Sequence, residues 1–275
     1  MGNRPNVKLS TLVEEYNLEI LRKGSDYDRC RVYTDDVSRP GLQLIGYFDY
    51  FDVERLQILG KVETTYLQDK TTEERRTVFD ALLSRPIPAI IISRGMTPFP
   101  ECMEMAEKHD RTVLRSPQNA TTIQGALIAG LRNYLAPRIT RHGVLLEIYG
   151  EGVFILGESG VGKSETAIEL IKRGHRLIAD DAVEIVRMGD NQLVGTAPEL
   201  IRYYMELRGI GVVDVRRLFG MASVKHDSPI DLVINLEPWK SDAVYDRLGL
   251  EEKETSILEV NVPSVTIPVR PGRNL

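Results

Sequence analysis

The sequence predicts an α/β protein of two domains, an N-terminal α/β domain over residues 1–135 and a C-terminal P-loop domain over residues 136–275. Three observations lead there. The chain has 275 residues, enough for two domains of ordinary size. Ala89-Ile90-Ile91-Ile92-Ser93 is a continuous apolar run of strand length between helical segments, the pattern of a strand covered on both faces. Gly157-Glu158-Ser159-Gly160-Val161-Gly162-Lys163-Ser164 matches G-x-x-x-x-G-K-[ST] at every defined position and lies between a strand pattern and a helix pattern.

In the first domain, Leu9 to Leu18 reads as a helix with Leu12, Val13 and Tyr16 on one face. Leu42 to Tyr47 and Arg55 to Val62 read as short strands or turns. Thr71 to Ser84 reads as a helix capped by Thr72, with Glu73 and Glu74 in its first turn where acidic groups complement the helix dipole; Pro86 ends it. After the 89–93 strand come a helix from Phe99 to His109 and a short strand at Thr112-Val113-Leu114. Thr121 or Thr122 caps a helix to about Leu135, with Ile123, Leu127, Leu131 and Leu135 stacked at i+4, and Pro137 closes it.

In the second domain, Val144 to Tyr149 and Val153 to Leu156 form a hairpin that delivers the glycine-rich loop. Lys163 or Ser164 opens a helix to about Arg173 with Ala167, Leu170 and Ile171 as its apolar face. A strand from Arg176 to Ala179 ends on Asp180-Asp181, and Ala182 to Met188 pairs with Gln192 to Gly195. Ile230 to Leu236 reads as a strand, Ser241 to Leu248 as a helix, and Thr255 to Val269 as extended chain.

Composition narrows the function. A formal charge of −5 argues against nucleic-acid binding, which shows as a basic face. Cys30 and Cys102 stand far apart, outside any zinc spacing, and read as packing residues of a reducing compartment. No apolar run reaches the ~18 residues of a membrane span and the N-terminus carries no secretory signal, so a cytoplasmic location is expected.

The loop predicts triphosphate binding: its glycines turn backbone N–H groups inward and a helix N-terminus completes the anion nest. Lys163 would reach the β- and γ-phosphates and the Ser164 hydroxyl would hold Mg²⁺. Asp180 and Asp181 should reach the carboxyl edge of the sheet beside the phosphates, one serving the metal and the other taking a proton from an acceptor hydroxyl. His142 precedes the first strand of the domain and reads either as a site residue or as an ordinary surface or core histidine. Met205 to Asp214 reads either as a loop at a site or as a turn between strand and helix, and Arg247 as a solvated helix residue.

Taken together these residues resemble the bifunctional HPr kinase/phosphorylase family. The similarity covers the whole chain in layout and is strongest from His142 to Asp214, where Gly157 to Ser164, Arg173 to Asp181 and Met205 to Asp214 resemble the family's phosphate loop and signature. The resemblance implies an ATP-dependent kinase that phosphorylates a serine of HPr, the phosphocarrier of the sugar phosphotransferase system, and a phosphorylase that reverses this with inorganic phosphate to give pyrophosphate. It implies a role in carbon catabolite regulation, a catalytic domain similar to the nucleotide-binding core of phosphoenolpyruvate carboxykinase, a MurF-like N-terminal domain, a homohexamer, and control by glycolytic intermediates.

By matching position it implies Lys163, His142, Arg247 and the general base Asp181 as catalytic residues, Ser164 and Glu206 as Mg²⁺ ligands, and Gly157 to Ser164 as the phosphate cradle. Pro268 to Arg273 is similar to the segment used chiefly for dephosphorylation. Family members continue into a helical tail, so that tail is expected to be truncated. A nucleotide-sensing switch without transferase activity is the alternative, distinguished by whether Asp181 acts as a base; a small-molecule kinase would need a pocket that closes over its acceptor.

Overall fold

A computed structural model describes residues 4–189, 191–239 and 253–270. The chain divides into two compact units, Met1–Leu135 and Ala136–Leu275.

In the first unit, β1 (Val7–Lys8) pairs with β3 (Arg31–Val32), and β2 (Glu19–Arg22) joins a larger sheet. That sheet continues through β4 (Val37–Ser38), β5 (Leu56–Leu59), β6 (Ile90–Ile92) and β7 (Val113–Arg115), in the order β2-β7-β6-β5-β4. β4 to β7 run parallel and β2 runs antiparallel at the edge. Helices α1 (Leu9–Glu15), α2 (Lys61–Gln68), α3 (Thr72–Leu83), α4 (Pro100–Lys108) and α5 (Ala120–Leu135) complete the unit.

The apolar run at Ile90 to Ile92 is explained by burial on both sides. Ile91 packs with Leu12, Ile123 and Leu127 of α1 and α5. Ile90 and Ile92 pack with Phe79, Leu82 and Cys102 of α3 and α4. Successive strand residues face opposite sides, so a strand between two helical layers must be apolar at every position.

Three expectations change. The cap of α3 is Thr71, not Thr72: its hydroxyl accepts from the Glu74 N–H at 3.3 Å while the Glu74 carboxylate accepts from the Thr71 N–H at 2.8 Å. The cap of α5 is Asn119, whose side-chain oxygen accepts from the Thr122 N–H at 3.0 Å, so neither Thr121 nor Thr122 caps it. Leu42 to Tyr47 is a turn, one of its two readings, with a 3₁₀ segment at Gln43–Ile45, whereas the strand or turn expected over Arg55 to Val62 is a strand only to Leu59. There Gly60 starts α2, with the Glu63 carboxylate accepting from its N–H at 2.9 Å.

The second unit has two main sheets. The larger contains β9 (Val144–Ile148), β10 (Glu151–Gly157), β11 (Arg176–Ala179), β17 (Leu232–Pro238), β18 (Lys253–Ile257) and β19 (Val260–Val269), in the order β11-β9-β10-β17-β19-β18. β9 is antiparallel to both β10 and β11, so those two are parallel to each other, and β17 and β19 follow the same direction. The smaller sheet is antiparallel: β8 (Arg138–His142), β12 (Ala182–Met188), β13 (Gln192–Thr196) and β16 (Asp227–Pro229).

Leu145, Phe154 and Ile178 of the larger sheet pack with Val183, Ile185 and Leu193 of the smaller. Val144, Leu146, Val153 and Ile155, one residue out of phase, pack with Ala167 and Ile171 of α6 (Lys163–Lys172) and with Met205. Met205 belongs to a separate hairpin, β14 (Tyr204–Leu207) with β15 (Gly211–Asp214), which leads into α7 (Val215–Phe219). The expected helix from Ser241 to Leu248 lies outside the described residues.

Candidate functional site

Strand direction places the site. β10 and β11 run parallel, so the glycine-rich loop after β10 and the Asp pair after β11 emerge at one edge of the sheet. β9 lies between them and runs the other way, which brings its start, and with it His142-Gly143, to that same edge.

The loop has the backbone that a phosphate cradle needs. Gly157 has φ +149°, and a Cβ there would lie 2.5 Å from the Leu236 carbonyl oxygen, so only glycine fits. Val161 turns its side chain back toward the core under α6. Lys163 donates to the carbonyl oxygens of Gly157 at 2.8 Å and Glu158 at 2.9 Å, and the Thr166 hydroxyl donates to Gly162 O at 2.7 Å. The N-terminus of α6 faces the cleft with Glu165 in its first turn.

The two aspartates do different things. Asp180 is buried, and its Oδ1 accepts from the Ser164 hydroxyl at 3.0 Å while Oδ2 accepts from the Glu206 N–H at 3.2 Å. Burial pushes its carboxyl above the ordinary carboxylate range, and the donated hydrogen bonds oppose that. Asp181 is exposed over 77% of its side chain and takes φ +67°, a conformation Asp tolerates better than most residues. Its carbonyl accepts from Gly143 N–H at 3.1 Å, and its Oδ1 lies 3.5 Å from His142 Nδ1.

The hairpin supplies the third wall. Met205 is 1% exposed and Leu207 half-buried, so alternation turns Glu206 to the other face, and Arg208 follows in the turn. Met205 to Asp214 is thus a β-hairpin with a turn over Arg208-Gly209-Ile210, and it does lead from a strand into a helix. A cleft of about 650 Å³, within the usual range of ligand pockets, is lined by the loop glycines, Lys163, Ser164, His142, Asp181, Asp180, Glu206 and Arg208. Glu158 offers its carbonyl rather than its side chain to this arrangement.

The oxygen donors converging here are the Ser164 hydroxyl and the carboxylates of Asp180 and Glu206. Hard oxygen donors suit Mg²⁺. Among the described residues no three His, Cys, Asp or Glu side chains form a closed metal cage. A few protein oxygens completed by phosphate oxygens and water are what Mg²⁺ takes when it arrives with a nucleotide, so these residues fit it.

Of the residues singled out in sequence, His142, Lys163, Ser164, Asp181, Glu206 and the loop glycines meet in one cleft. Arg247 lies outside the described residues. The residue missed was Arg208, which no local pattern marks; what identifies it is its approach to Gly160.

Known proteins resemble both units. Residues 7–135 match the family model described as HPr Serine kinase N terminus, and residues 133–275 match the HPr Serine kinase C-terminal domain. An HPr kinase/phosphorylase of Caldanaerobacter subterraneus is 50% identical over 269 residues, spanning 98% of this chain and 88% of that protein. One from Geobacillus kaustophilus is 45% identical over 271 residues, spanning 98% and 87%. A solved HPr(Ser) kinase/phosphatase from Coxiella burnetii is 38% identical over 50% of this chain and 82% of that one, with a TM-score of 0.46.

Proposed function

This chain belongs to the HPr kinase/phosphorylase family, and from that premise we propose that it phosphorylates a serine of HPr with ATP and removes the phosphoryl group with inorganic phosphate, giving pyrophosphate. It is an enzyme of the kinase class acting on a nucleotide. The observation that most supports the detailed reading is the exposed Asp181 carboxylate beside the buried Asp180–Ser164 pair, in the cleft that holds Lys163.

In the forward direction the serine oxygen attacks the γ-phosphorus. The bond from γ-phosphorus to the β,γ-bridging oxygen breaks, ADP leaves with the electron pair, and Asp181 accepts the seryl proton. In reverse, an oxygen of inorganic phosphate attacks the phosphoserine phosphorus. The serine oxygen departs with the proton that Asp181 returns, and the product is pyrophosphate. One carboxyl serves as base and acid.

Lys163 and the loop N–H groups of Gly157 to Ser164 hold phosphate, and Ser164 and Glu206 hold Mg²⁺, with Asp180 orienting Ser164. Bound Mg²⁺ would supply charge neutralisation on the phosphates. His142, 3.5 Å from Asp181, and Arg247 complete the assigned active centre. The switch reading is disfavoured because the curated relatives are enzymes.

Family membership also supports a homohexamer, a cytoplasmic location, a role in carbon catabolite regulation under glycolytic control, a catalytic core like that of phosphoenolpyruvate carboxykinase, and a MurF-like first unit. No described helix is long and apolar enough to cross a membrane.

The test is incubation of the full chain with labelled ATP, Mg²⁺ and HPr, followed by unlabelled phosphate. The expected result is labelled HPr whose label phosphate then releases as pyrophosphate, with Lys163→Ala slow in both directions. Absence of transfer would overturn the reading, and transfer without phosphate-driven release would overturn its reverse half.

A further inference from the structure

Arg208 is held against the bare backbone of the phosphate loop. A Cβ built on Gly160 would lie 2.4 Å from one terminal guanidinium nitrogen of Arg208, 3.3 Å from Cζ and 3.5 Å from the other. Gly160 has φ +85°, a conformation that strains any side chain, so the loop is bare where the guanidinium approaches it.

The contact is not a structural clip. Arg208 is exposed, and among the described residues it makes no hydrogen bond or ion pair with side chain or backbone. Its neighbours in the same unit do: Arg176 pairs with Glu147, Arg187 with Glu259, and Arg216 with Asp214. Lys163, the other cation of the cleft, donates to two loop carbonyls. Among the described residues of the cleft, Arg208 alone presents an uncommitted guanidinium beside the glycine-rich loop.

We propose that Arg208 contacts the transferring phosphoryl group, the γ-phosphate of ATP in one direction and the phosphoryl group of phosphoserine in the other, and so lets the cleft distinguish ATP from ADP. This rests on the kinase and phosphorylase reading above. A planar fork of N–H donors matches the paired oxygens of a phosphoryl group better than a point charge does. It follows β14 in the hairpin turn and lines the same cleft as Glu206, which puts it where that residue's metal would meet the terminal phosphates, apart from the loop lysine. Charge developing on the transferring group would meet Arg208 in both directions.

The test compares the full chain with Arg208→Ala and Arg208→Lys by calorimetric titration with MgATP, MgADP and inorganic phosphate. It adds steady-state phosphorolysis of phosphoseryl HPr. Arg208→Ala is expected to lose about 10- to 100-fold in affinity for MgATP and to raise KM for phosphoseryl HPr similarly, the range for one charge-assisted hydrogen-bond pair, with inorganic phosphate affinity unchanged. MgADP affinity should stay as in the unsubstituted chain, and Arg208→Lys should recover part of the loss. Equal loss for ATP and ADP, as a collapsed hairpin would give, overturns the proposal, and so does no loss for either. The binding ratio decides this whether or not HPr is labelled; failure of the unsubstituted chain to label HPr would instead overturn the reading beneath it.

Discussion

Asp180 ties Ser164 to the hairpin: one carboxylate oxygen accepts from the Ser164 hydroxyl at 3.0 Å, the other from the Glu206 N–H at 3.2 Å. Both of its oxygens face donors, which makes the pair sensitive to a change that preserves shape. Asp180→Asn puts an NH₂ against one donor and leaves a buried mismatch. The expected outcome is a 10- to 100-fold weaker Mg²⁺ requirement curve at fixed ATP, roughly the range for groups that orient metal ligands. Calorimetric titration of Mg²⁺ in the presence of nucleotide measures it, and an unshifted curve would contradict the positioning role.

Asp181 permits a cleaner substitution. Its side chain is exposed and its φ is +67°, where Asn is as comfortable as Asp but Ala is not. Asp181→Asn should leave MgATP binding and thermal stability in place while transfer to HPr falls about 10²- to 10⁴-fold, the contribution of a positioned base. Asp181→Ala should lose the same activity and also melt lower. An Asn variant with full transfer would remove Asp181 from the base role.

A pH dependence follows from Glu147, which is buried between Lys225 and Arg176, the latter through an Nε bond of 2.8 Å. The hydrogen bond from Lys225, with Arg176 adding to it, holds this carboxyl below the usual carboxylate range despite burial. The folded value is depressed, so the stabilisation is complete above the unfolded value near ~4.3 and is lost as pH falls through the folded one. Glu147→Gln should cost about 1–2 kcal/mol at pH 7, below the ~3–5 of a fully buried pair because both partners are partly exposed. Urea titrations of both proteins should converge as pH drops below ~4.3; curves that stay parallel would contradict the assignment.

Local chemistry was the legible part of the molecule. The glycine and Lys-Ser spacing of the loop, the two-sided strand at Ile90 to Ile92 and the i+4 stack of α5 each carry their reason in a few adjacent residues. Helix starts were read one to three residues late, because Thr71 shares its residue type with Thr72, and Asn119 stands just before a Thr-Thr pair that also suits a cap. Helix α2 was hidden: Lys-Val-Glu-Thr-Thr-Tyr-Leu-Gln has few apolar residues, and its start is stabilised by Glu63 reaching back to a glycine. In the site, the division of labour between Asp180 and Asp181 was open in sequence, since burial distinguishes them and burial is tertiary. Arg208 had no local signature at all, because what identifies it is contact with Gly160.

Among the described residues the β14–β15 ribbon pairs only with itself, yet it presents Glu206 from β14 and Arg208 from its turn to the cleft and seats Met205 in the core. Its two functional side chains therefore share one mechanical degree of freedom. A packing defect beneath it, at a position that touches no substrate, would shift both groups by correlated amounts. Lesions of that kind would imitate active-site mutations, with metal dependence and ATP affinity failing in fixed proportion while the contacts themselves remain intact in sequence.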